Sequence, residues 1–373
     1  MKILSVIPNV DSSPTNAARY RIQNIQKILK TLGNEVDCVE FSAKNFQYPA
    51  EYSCRLIRTN RLMAHFYFIQ ILRKKRYDLI HANISEGVFF SITAKLFKIP
   101  ILYDKHGDPT NEFKIMHPDF LSINTVAEWL YMTLLQHVSD RVPDHFFCVS
   151  RHMIQFLYEK REIQLTKMHY ITNGVDLTFF KEQKDEEKKR TEIKESLGIK
   201  EKCIVGYIGG FQKWQGIEML PVAADLLRDE NLLFLIVGAP KMERKGNILY
   251  LCRVPREEIP SIYRICDLLL LPRPQHPATD IAAPTKLGEY AASGRPILVT
   301  DVGDAAALIQ KYDAGLVISN NSPSSIAEGI KNFLKLSEEK RRILGMNALH
   351  MAEQEFDWNI IKENVRQTLE DWK

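Results

Sequence analysis

The stretch APTKLGEYAASGRPILVT, residues 283–300, contains a complete transition from helix to strand. Pro284 suits the first turn of a helix, and Gly294 suits the position just after its end. The run PILVT that follows is short and apolar, which is typical of a parallel strand buried on both faces. The stretch therefore predicts one unit of a layered α/β domain.

The same alternation of amphipathic segments and apolar runs extends over the rest of the chain. The predicted strands of the second half are CIVGYIGG, LLFLIVG, NILYLC, DLLLLP and GLVIS, and those of the first half are KILSVIP, EVDCVEF, YDLIHAN, PILYDKH, DHFFCVS and MHYITNG. Strands that alternate with helices indicate mostly parallel, doubly wound sheets. Ligands of such sheets bind beyond the carboxyl ends of the strands.

A chain of 373 residues is too long for one ordinary core, so we expect two domains. The segment 181–202 is almost wholly polar and marks the boundary between them. We predict one Rossmann-like domain over 1–175 and a second over 176–355, with a final helix over 356–373 that packs back toward the first. Two such domains in tandem would face each other across a cleft, which suits a transferase.

Composition excludes several classes of protein. The net charge of +4 is too small to indicate nucleic-acid binding. The six cysteines include no CxxC pair, so neither a zinc site nor a thioredoxin-type site is expected, and six buried thiols in a reducing compartment are predicted. The first apolar run is too short for a signal peptide, and no run reaches the ~18–20 residues that span a membrane. These features predict a cytoplasmic protein.

The segment YIGGFQKWQGIEML, residues 207–220, joins a predicted strand to a predicted helix. Gly209, Gly210 and Gly216 would let a phosphate approach main-chain N–H groups, and the helix N-terminus adds a favourable partial charge. Lys213 would meet a pyrophosphate there. The segment matches neither GxGxxG nor the Walker pattern, and an ordinary tight turn is the alternative.

The helix that begins near Thr285 carries a second group of residues suited to an anion. Thr285 and Lys286 offer a hydroxyl, main-chain N–H groups and a cation to phosphate. Glu289 lies one turn further on, and its carboxylate would accept hydrogen bonds from the paired hydroxyls of a sugar. The alternative for Glu289 is an interaction with its own helix dipole, worth ~0.3–1 kcal/mol. Because Lys213 and Lys286 are close in the predicted fold, ribose binding is the favoured interpretation.

No Asp-x-Asp pair occurs in the sequence, so no metal site is predicted. A sugar nucleotide held by a metal needs oxygen ligands of that kind. Lysines, arginine and helix N-termini would then neutralise a diphosphate leaving group.

The first half of the chain carries candidate acceptor features. His106 follows the predicted strand ILYD, where a doubly wound fold places site residues, and a structural histidine is the alternative. Arg19 and Arg21 follow the first strand and would contact an acceptor phosphate, unless they serve packing or helix solvation.

A basic, aromatic segment over 55–76 suggests a membrane surface. No acidic residue occurs between Tyr52 and Tyr77, and cations alternate there with aromatic and aliphatic residues. The cations are Arg55, Arg58, Arg61, Arg73, Lys74, Lys75 and Arg76. A helix of this kind would lie on an anionic membrane, and an ordinary helix with a solvated face is the alternative.

In these motifs the sequence resembles the retaining GT-B glycosyltransferases of family 4, also called group 1, over nearly the whole chain. PTKLGEYAASGRPIL is the most specific piece, GYIGGFQKWQG resembles the diphosphate loop, and NILYLCRVPREEIPSIYRICDLLLLP resembles the base-binding region. MHYITNGVDLTFF resembles the turn between the domains, and DHFFCVS and YDKHG resemble parts of the first domain. The resemblance implies two doubly wound Rossmann-like domains facing across a cleft, with the acceptor on the N-terminal side and the nucleotide sugar on the C-terminal side.

The resemblance also implies roles for individual residues. The donor-binding residues would be Gly209, Gly210, Lys213, Arg253, Val254, Thr285, Lys286, Leu287 and Glu289. Among them Glu289 would hold the ribose, while Arg253 and Val254 would line the base pocket. The catalytic residues would be His106, which points at the donor sugar, Lys213 and Asp280. The acceptor-side residues would be Ser13, Thr15, Arg19 and Glu86.

The sequence departs from the family pattern in three places. One is the segment NVDSSPTNAARYR, which replaces a glycine-rich turn after the first strand. The family often has a second glutamate where this chain has Ile281, and the adjacent Asp280 is expected to substitute for it. The usual lysine before the loop glycine is Gln215 here, so Lys213 would reach in from two residues away.

The implied reaction transfers a sugar from a UDP- or GDP-linked donor, with retention, to a glycan or lipid-linked acceptor. It would use neither a cofactor nor a metal, and it would serve polysaccharide or lipopolysaccharide assembly in the cytoplasm or on the inner face of the membrane. A GT-B sugar-nucleotide epimerase and a catalytically silent scaffold are the alternatives.

Overall fold

The computed structural model describes residues 1–8, 17–42, 54–118, 122–180 and 186–372. The chain divides into two compact units. The first consists of Met1–Thr172 together with Ile361–Lys373, and the second of Asn173–Ile360. Each unit is a layered α/β structure, and the predicted α/β class with two doubly wound domains is confirmed.

The sheet of the first unit consists of β1 (Lys2–Ile7), β2 (Glu35–Ser42), β3 (Cys54–Arg58), β4 (Leu79–Asn83), β5 (Ile101–Lys105), β6 (His145–Cys148) and β7 (Met168–Tyr170). The order across the sheet is β3-β2-β1-β4-β5-β6-β7, and the described pairs are parallel. β4 and β5 are buried along their whole length because helices cover both faces.

The helices of the first unit are α1 (Ala17–Thr31), α2 (Arg61–Lys74), α3 (Ile84–Ser91), α4 (Pro109–Met116), α5 (Ile123–Arg141) and α6 (Arg151–Arg161), with 3-10 turns at Ile92–Phe97 and Leu165–Lys167. Several begin at a side-chain cap. Asp108 accepts a hydrogen bond from the N–H of Asn111 at the start of α4, and Ser150 accepts one from Met153 at the start of α6.

The sheet of the second unit consists of β8 (Cys203–Ile208), β9 (Leu232–Ala239), β10 (Glu243–Lys245), β11 (Ile248–Cys252), β12 (Leu268–Leu271), β13 (Ile297–Thr300) and β14 (Gly315–Ile318). Its order is β10-β11-β9-β8-β12-β13-β14, and β10 pairs antiparallel with β11 while the other described pairs are parallel. Every residue of β8, β12 and β13 is buried, as the continuous apolar runs predict.

The helices associated with the second unit are α7 (Leu177–Phe180), α8 (Glu186–Ser196), α9 (Leu220–Asp225), α10 (Ile259–Ile265), α11 (Pro277–Asp280), α12 (Thr285–Ala292), α13 (Gly303–Tyr312), α14 (Pro323–Leu334), α15 (Glu338–Met351) and α16 (Trp358–Glu370). Short turns lie at Lys213–Gln215, Ile217–Met219 and Arg256–Glu258, and a π-helical turn lies at Ala352–Phe356. The residues of α16 from Ile361 onward belong to the first unit.

The segment 55–76 is not one helix. Its first residues form β3, which pairs in parallel with β2, and the helix α2 begins only at Arg61. Asn60 ends the extended stretch and caps α2 by accepting a hydrogen bond from the N–H of Met63. The helical prediction over the whole segment was therefore wrong for residues 55–58.

The prediction of six buried thiols was also wrong. Cys38 and Cys54 form a disulfide, because they lie directly opposite each other on β2 and β3 with their Cα atoms 4.6 Å apart. Cys252 is exposed, and the buried free thiols are Cys148, Cys203 and Cys266. The spacing of 16 residues gave no local signal, because the pairing depends on which strands are neighbours.

The end of the chain packs into the first unit through Trp372. Its ring stacks on that of His145 with the centroids 4.1 Å apart. Its indole Nε1 lies 3.4 Å from Nε2 of His169 and donates to it. Burial lowers the pKa of His169 to about 4, so this acceptor nitrogen is unprotonated near neutral pH.

Candidate active site

Two loops of the second unit meet at the carboxyl ends of β8 and β12. The loop after β8 contains Gly209, whose missing Cβ leaves room for the side chain of Lys286 from α12. Gly216 in the same loop adopts a φ of +70°, and a Cβ there would collide with the carbonyl oxygen of Pro272 after β12. These two glycines allow the predicted phosphate loop and the start of α12 to approach closely.

Lys286 is the cation at the centre of this arrangement. Its Nζ donates to Oε1 of Gln215 at 2.9 Å and lies 5.3 Å from the centre of the Tyr207 ring. Within the described parts of the chain it forms no ion pair. Burial lowers the pKa of Lys286 to about 7, the charge of Arg273 adds to that effect, and the charge of Glu289 opposes it.

Arg273 is a site residue that the motif analysis did not single out. It follows β12 after Pro272 and is 7% exposed, and its Nε donates to the carbonyl oxygen of Trp214 at 3.3 Å. Its own carbonyl oxygen accepts a hydrogen bond of 2.6 Å from the hydroxyl of Thr300. Its position immediately after a buried strand was the available signal, because that is where doubly wound folds place binding residues.

The first turn of α12 faces the same region with main-chain donors. Its N-cap is Pro284, and no side chain caps its N–H groups. An uncapped helix N-terminus carries unpaired donors and a partial positive charge, which suits an anion. Thr285 is half-buried there. The side chain of Leu287 is buried in the apolar core, and its N–H donates to the carbonyl oxygen of Pro284 at 3.0 Å.

Glu289 is held in place by a tyrosine that sequence analysis missed. The hydroxyl of Tyr263 donates to Oε2 of Glu289 at 2.7 Å. Burial raises the pKa of Glu289, and the Tyr263 hydrogen bond and the charges of Arg256 and Lys286 oppose this effect. Tyr263 is fully buried, and its ring packs edge-to-face on that of Tyr290, so the carboxylate has a rigid support.

Three of the residues predicted to bind the sugar donor lie around these loops. Lys213 is exposed in the turn Lys213–Gln215, Arg253 is exposed after β11, and Val254 is half-buried against the apolar core. The main chain of Gly210 is fixed because its carbonyl oxygen accepts a hydrogen bond of 2.6 Å from the hydroxyl of Tyr207.

Asp280, which was predicted to substitute for the glutamate missing at position 281, forms a hydrogen bond within the protein. Oδ1 of Asp280 accepts a hydrogen bond of 3.0 Å from the N–H of Gly303, the first residue of α13. Asp280 is otherwise exposed, and Ile281 beside it is buried at 2% exposure. This contact gives Asp280 a structural role, and its catalytic role stays a prediction.

In the first unit His106 lies beside a buried ion pair. Nε2 of His106 is 3.2 Å from Oδ2 of Asp104, and Nη2 of Arg21 donates to Oδ1 of Asp104 at 2.7 Å. Arg21 also donates to the carbonyl oxygens of Ile171 and Thr172, each at 2.7 Å. Burial alone would raise the pKa of Asp104, but the charges of Arg21 and His106 outweigh it and hold that pKa well below its usual range.

The predicted acceptor-side residues are not brought into one cluster that the structure describes. Ser13 and Thr15 lie outside the described residues. Arg19 is buried and its Nη2 pairs with Oε1 of Glu40 at 3.1 Å. Glu86 is half-buried on α3 and accepts a hydrogen bond of 3.3 Å from the hydroxyl of Tyr131.

The described residues lack two kinds of feature. They contain no group of three or more His, Cys, Asp or Glu side chains arranged to hold a metal ion. They also contain no helix that is both long enough and apolar enough to cross a membrane.

Two family models match the chain in succession. The model of Glycosyltransferase Family 4 matches residues 21–179, and the model of Glycosyl transferases group 1 matches residues 189–351. Together they extend over most of both units. The chain belongs to the group 1 glycosyltransferases of family 4. The expectation from the sequence motifs is confirmed at this level.

Curated relatives of this group 1 glycosyltransferase are identical to it at about a quarter of the aligned positions. The D-inositol 3-phosphate glycosyltransferase of Corynebacterium glutamicum is 23% identical over 325 residues, which cover 76% of this chain and 70% of the relative. The putative teichuronic acid biosynthesis glycosyltransferase TuaH of Bacillus subtilis is 24% identical over 60% of this chain and 55% of its own length.

Solved glycosyltransferases share the fold of this group 1 glycosyltransferase over its full length. Sucrose-phosphate synthase from Thermosynechococcus elongatus superimposes with a TM-score of 0.77 at 16% identity, covering 100% of this chain and 99% of the other. Anabaena HepE in complex with UDP-glucose superimposes with a TM-score of 0.72 at 16% identity, covering 100% of both chains. These likenesses confirm the predicted GT-B fold.

Proposed function

We propose that this enzyme transfers a sugar from a nucleoside diphosphate sugar to a glycan or lipid-linked acceptor, with retention of anomeric configuration. The single observation that carries the proposal is Lys286, a partly buried cation without an ion pair among the described residues, placed beside an uncapped helix N-terminus. Both features favour an anionic group at that point. The complexes of the Anabaena neighbour with UDP and with UDP-glucose support a nucleotide sugar as that anion.

In this proposal the diphosphate is bound without a metal. Lys286, Arg273 and the exposed Lys213 supply positive charge, and the first turn of α12 supplies main-chain donors. Cations and N–H groups that are fixed before the reaction stabilise the charge that develops on the departing phosphate. An oxygen of that phosphate takes the proton of the acceptor hydroxyl, so the reaction requires no separate strong base.

The ribose and the base occupy neighbouring positions in the proposal. Glu289 accepts hydrogen bonds from the ribose hydroxyls, and the hydroxyl of Tyr263 keeps its carboxylate in one orientation. Arg253 and Val254 line the base pocket, which receives uracil or guanine. His106 contacts the donor sugar, and Asp104 orients its ring.

The acceptor is proposed to be a growing surface glycan or its lipid carrier. Named relatives act on D-inositol 3-phosphate or belong to teichuronic acid biosynthesis, and the fold neighbour WaaG is involved in lipopolysaccharide biosynthesis. These names support polysaccharide or lipopolysaccharide assembly as the setting of the reaction.

An apolar surface of the first unit supports attachment to the inner face of the membrane. We define it by the exposed side chains of α2, of the turn Ile92–Phe97 and of α5. They are Met63, Phe66, Tyr67, Ile92, Leu96, Phe97, Ile123, Val126, Leu130 and Leu134. α2 packs against the turn, and α2, the turn and α5 each pack against α3. The exposed cations Arg73, Lys74 and Lys98 complement anionic lipids.

The test of the donor site is a binding experiment on the full chain. UDP, GDP, ADP and CMP are titrated calorimetrically in the presence and absence of EDTA, and one nucleoside diphosphate is expected to bind independently of EDTA. Glu289→Gln should weaken that binding about 10- to 100-fold, because it replaces the ribose acceptor. Glu328→Gln, an exposed substitution on α14, is the matched control and should leave binding unchanged.

Two results would contradict the proposal. A panel without binding would favour a catalytically silent scaffold. Binding of a sugar nucleotide followed by release of an epimer without any acceptor would favour the epimerase. For the transfer itself, retention is checked by nuclear magnetic resonance of the anomeric proton in the product.

A further inference from the structure

The sequence NGVD at residues 173–176, which resembles the family turn between the domains, begins the second unit. Nδ2 of Asn173 donates a hydrogen bond of 2.7 Å to the carbonyl oxygen of Ala283, 110 residues further along the chain. Ala283 and Pro284 directly precede α12, whose first turn carries the main-chain donors and Lys286 of the proposed diphosphate site. A side chain outside the predicted donor loops therefore contacts the start of the helix that binds phosphate.

The peptide group between Ala283 and Pro284 can be held only through its carbonyl oxygen. Proline has no N–H, so this peptide group offers an acceptor and no donor. A carbonyl oxygen only accepts, so the amide of Asn173 must present Nδ2 to it, which settles the orientation of that amide. Asn173 thus supplies the one kind of polar group that this peptide can use.

The orientation of this peptide group influences the direction in which α12 begins. The proline ring restricts the φ of Pro284, which is −68°. Because peptide bonds are planar, the ψ of Pro284 is the one soft torsion between the Ala283 carbonyl and the N–H of Thr285. Fixing that carbonyl therefore restricts where the first N–H groups of α12 point and where the side chain of Lys286 starts.

The main chain that carries Asn173 is anchored to an element that also supports α12. The N–H of Val175 donates to the carbonyl oxygen of Phe356 at 2.8 Å. α12 lies against the ring of the same phenylalanine, since a Cβ added at Gly288 would be 3.3 Å from its Cγ. The start of the Asn173 side chain and the helix that it contacts are therefore both held at Phe356.

We propose that Asn173 is a positioning residue for the donor diphosphate. Its amide holds the peptide group before α12, so that the first N–H groups of the helix and Nζ of Lys286 meet the phosphates. Donors that are fixed before the reaction stabilise the departing phosphate, and a misplacement of about 1 Å can cost about 10²-fold in rate. This role rests on the proposed function, and it assigns to Asn173 no contact with the nucleotide.

The test measures dissociation constants of UDP, uridine, GDP and guanosine for the full chain. Calorimetry serves for the nucleotides and ligand-observed nuclear magnetic resonance for the nucleosides, and the pair that the wild type binds is then measured with the variants. Asn173→Leu keeps the approximate size of the side chain and removes the donor. It should weaken binding of the diphosphate about tenfold and leave binding of the nucleoside within about twofold. A residue that only stabilised the second unit would not separate the two ligands in this way.

Two other variants serve as references. Asn347→Leu on α15 is the matched control, because Nδ2 of Asn347 also donates to a main-chain carbonyl oxygen, that of Asp313, at 2.9 Å. It should leave both affinities unchanged. Glu289→Gln should weaken the nucleoside and the diphosphate alike, since both contain the ribose. If Asn173→Leu does not fold, Asn173→Ala removes the same donor without an apolar replacement and decides instead.

The outcomes separate this role from the donor proposal. A wild type that binds neither UDP nor GDP overturns the proposed function and this role with it. A wild type that binds one of them, while the variants of Asn173 keep its full affinity, overturns the positioning role alone. Equal weakening of nucleoside and diphosphate in the Asn173 variants, or the same loss of diphosphate binding in Asn347→Leu, also overturns it.

Discussion

Two cations, the buried Arg21 of the first unit and the partly buried Lys286 of the second, have opposite surroundings. Arg21 is 2% exposed and meets the carboxylate of Asp104 and two main-chain carbonyl oxygens. Lys286 meets the neutral amide of Gln215 and the face of an aromatic ring. One cation is therefore neutralised by the protein itself, and the other is not.

This difference distinguishes a cation that stabilises the fold from a cation that is available to bind a ligand. A buried ion pair that satisfies its own hydrogen bonds has little capacity left for a ligand. A desolvated cation without a counter-charge is destabilised until an anion arrives, which is the reason burial lowers the pKa of Lys286. The comparison predicts that substitutions at the first cation change stability, while substitutions at the second change binding and rate.

The largest expected effect is on the stability of the first unit. Asp104→Asn leaves Arg21 buried without its counter-charge and should lower the free energy of unfolding by about 3–5 kcal/mol. Urea unfolding measures this. The double variant Arg21→Met/Asp104→Leu removes both charges and should recover much of the loss. An Asp104→Asn protein as stable as the wild type would contradict the structural role of the pair.

The ion pair of Arg21 and Asp104 also predicts that the free energy of unfolding decreases at acidic pH. Because the pKa of Asp104 is lowered in the folded state, its contribution is present above the ordinary carboxyl pKa. It is lost as the pH falls through the folded-state value. Unfolding free energies measured on acidification should therefore fall less steeply in Asp104→Asn than in the wild type.

The next largest effect is on the rate of transfer and concerns Lys286, the cation without a counter-charge. Lys286→Met should lower kcat for transfer about 10²–10³-fold, because a cation at the departing phosphate is lost. The unfolding free energy should not fall, since removing an uncompensated buried charge relieves a desolvation cost. Lys331→Met on the exposed face of α14 is the control. A stable protein with unchanged kcat would contradict the binding role of Lys286.

A smaller effect is the uptake of protons by Lys286 when a nucleotide binds. Lys286 has a pKa of about 7 without ligand, so at pH 8 a large fraction is neutral. A bound diphosphate raises that pKa, and binding of UDP or GDP should take up as much as about one proton. Calorimetric titrations in buffers of different ionisation enthalpy measure the uptake. It should vanish in Lys286→Met, and an uptake that persists there would assign the proton to another group.

The smallest effect tests the residue next to Ile281. Asp280→Ala removes the acceptor for the N–H of Gly303 at the start of α13 and should cost about 1 kcal/mol of stability. Asp280→Asn retains an acceptor oxygen and should cost less. A fall in kcat of more than about tenfold in both variants would establish a catalytic role in addition to the cap.

The repeating pattern of the chain predicted the local elements but not their long-range pairs. The run PILVT became β13, and the helix predicted after Pro284 became α12, because both depend on residues close in sequence. The hydrogen bond between Tyr263 and Glu289 spans 26 residues and requires α10 and α12 to be neighbours. Strand order decides such contacts, and periodicity carries no information about it.

For the candidate site, too, the sequence predicted local features but not the contacts between distant residues. Glycine positions and the cations of the loops were visible as motifs, and the structure brings Gly209, Gln215 and Lys286 together. The contact of Asp280 with Gly303 was not visible, because a carboxylate near a loop has the same sequence signature whether it caps a helix or faces a ligand. The position of Arg273 after a buried strand was visible in the sequence, but its proximity to Lys286 was not.

The stacking of Trp372 on His145 has a consequence for biosynthesis. The first unit includes residues 361–373, so it cannot be completed before that segment has been synthesised. The second unit, Asn173–Ile360, is contiguous and is available to fold earlier, although it is translated later than most of the first. The unit whose synthesis begins second is therefore the first to have all of its residues synthesised.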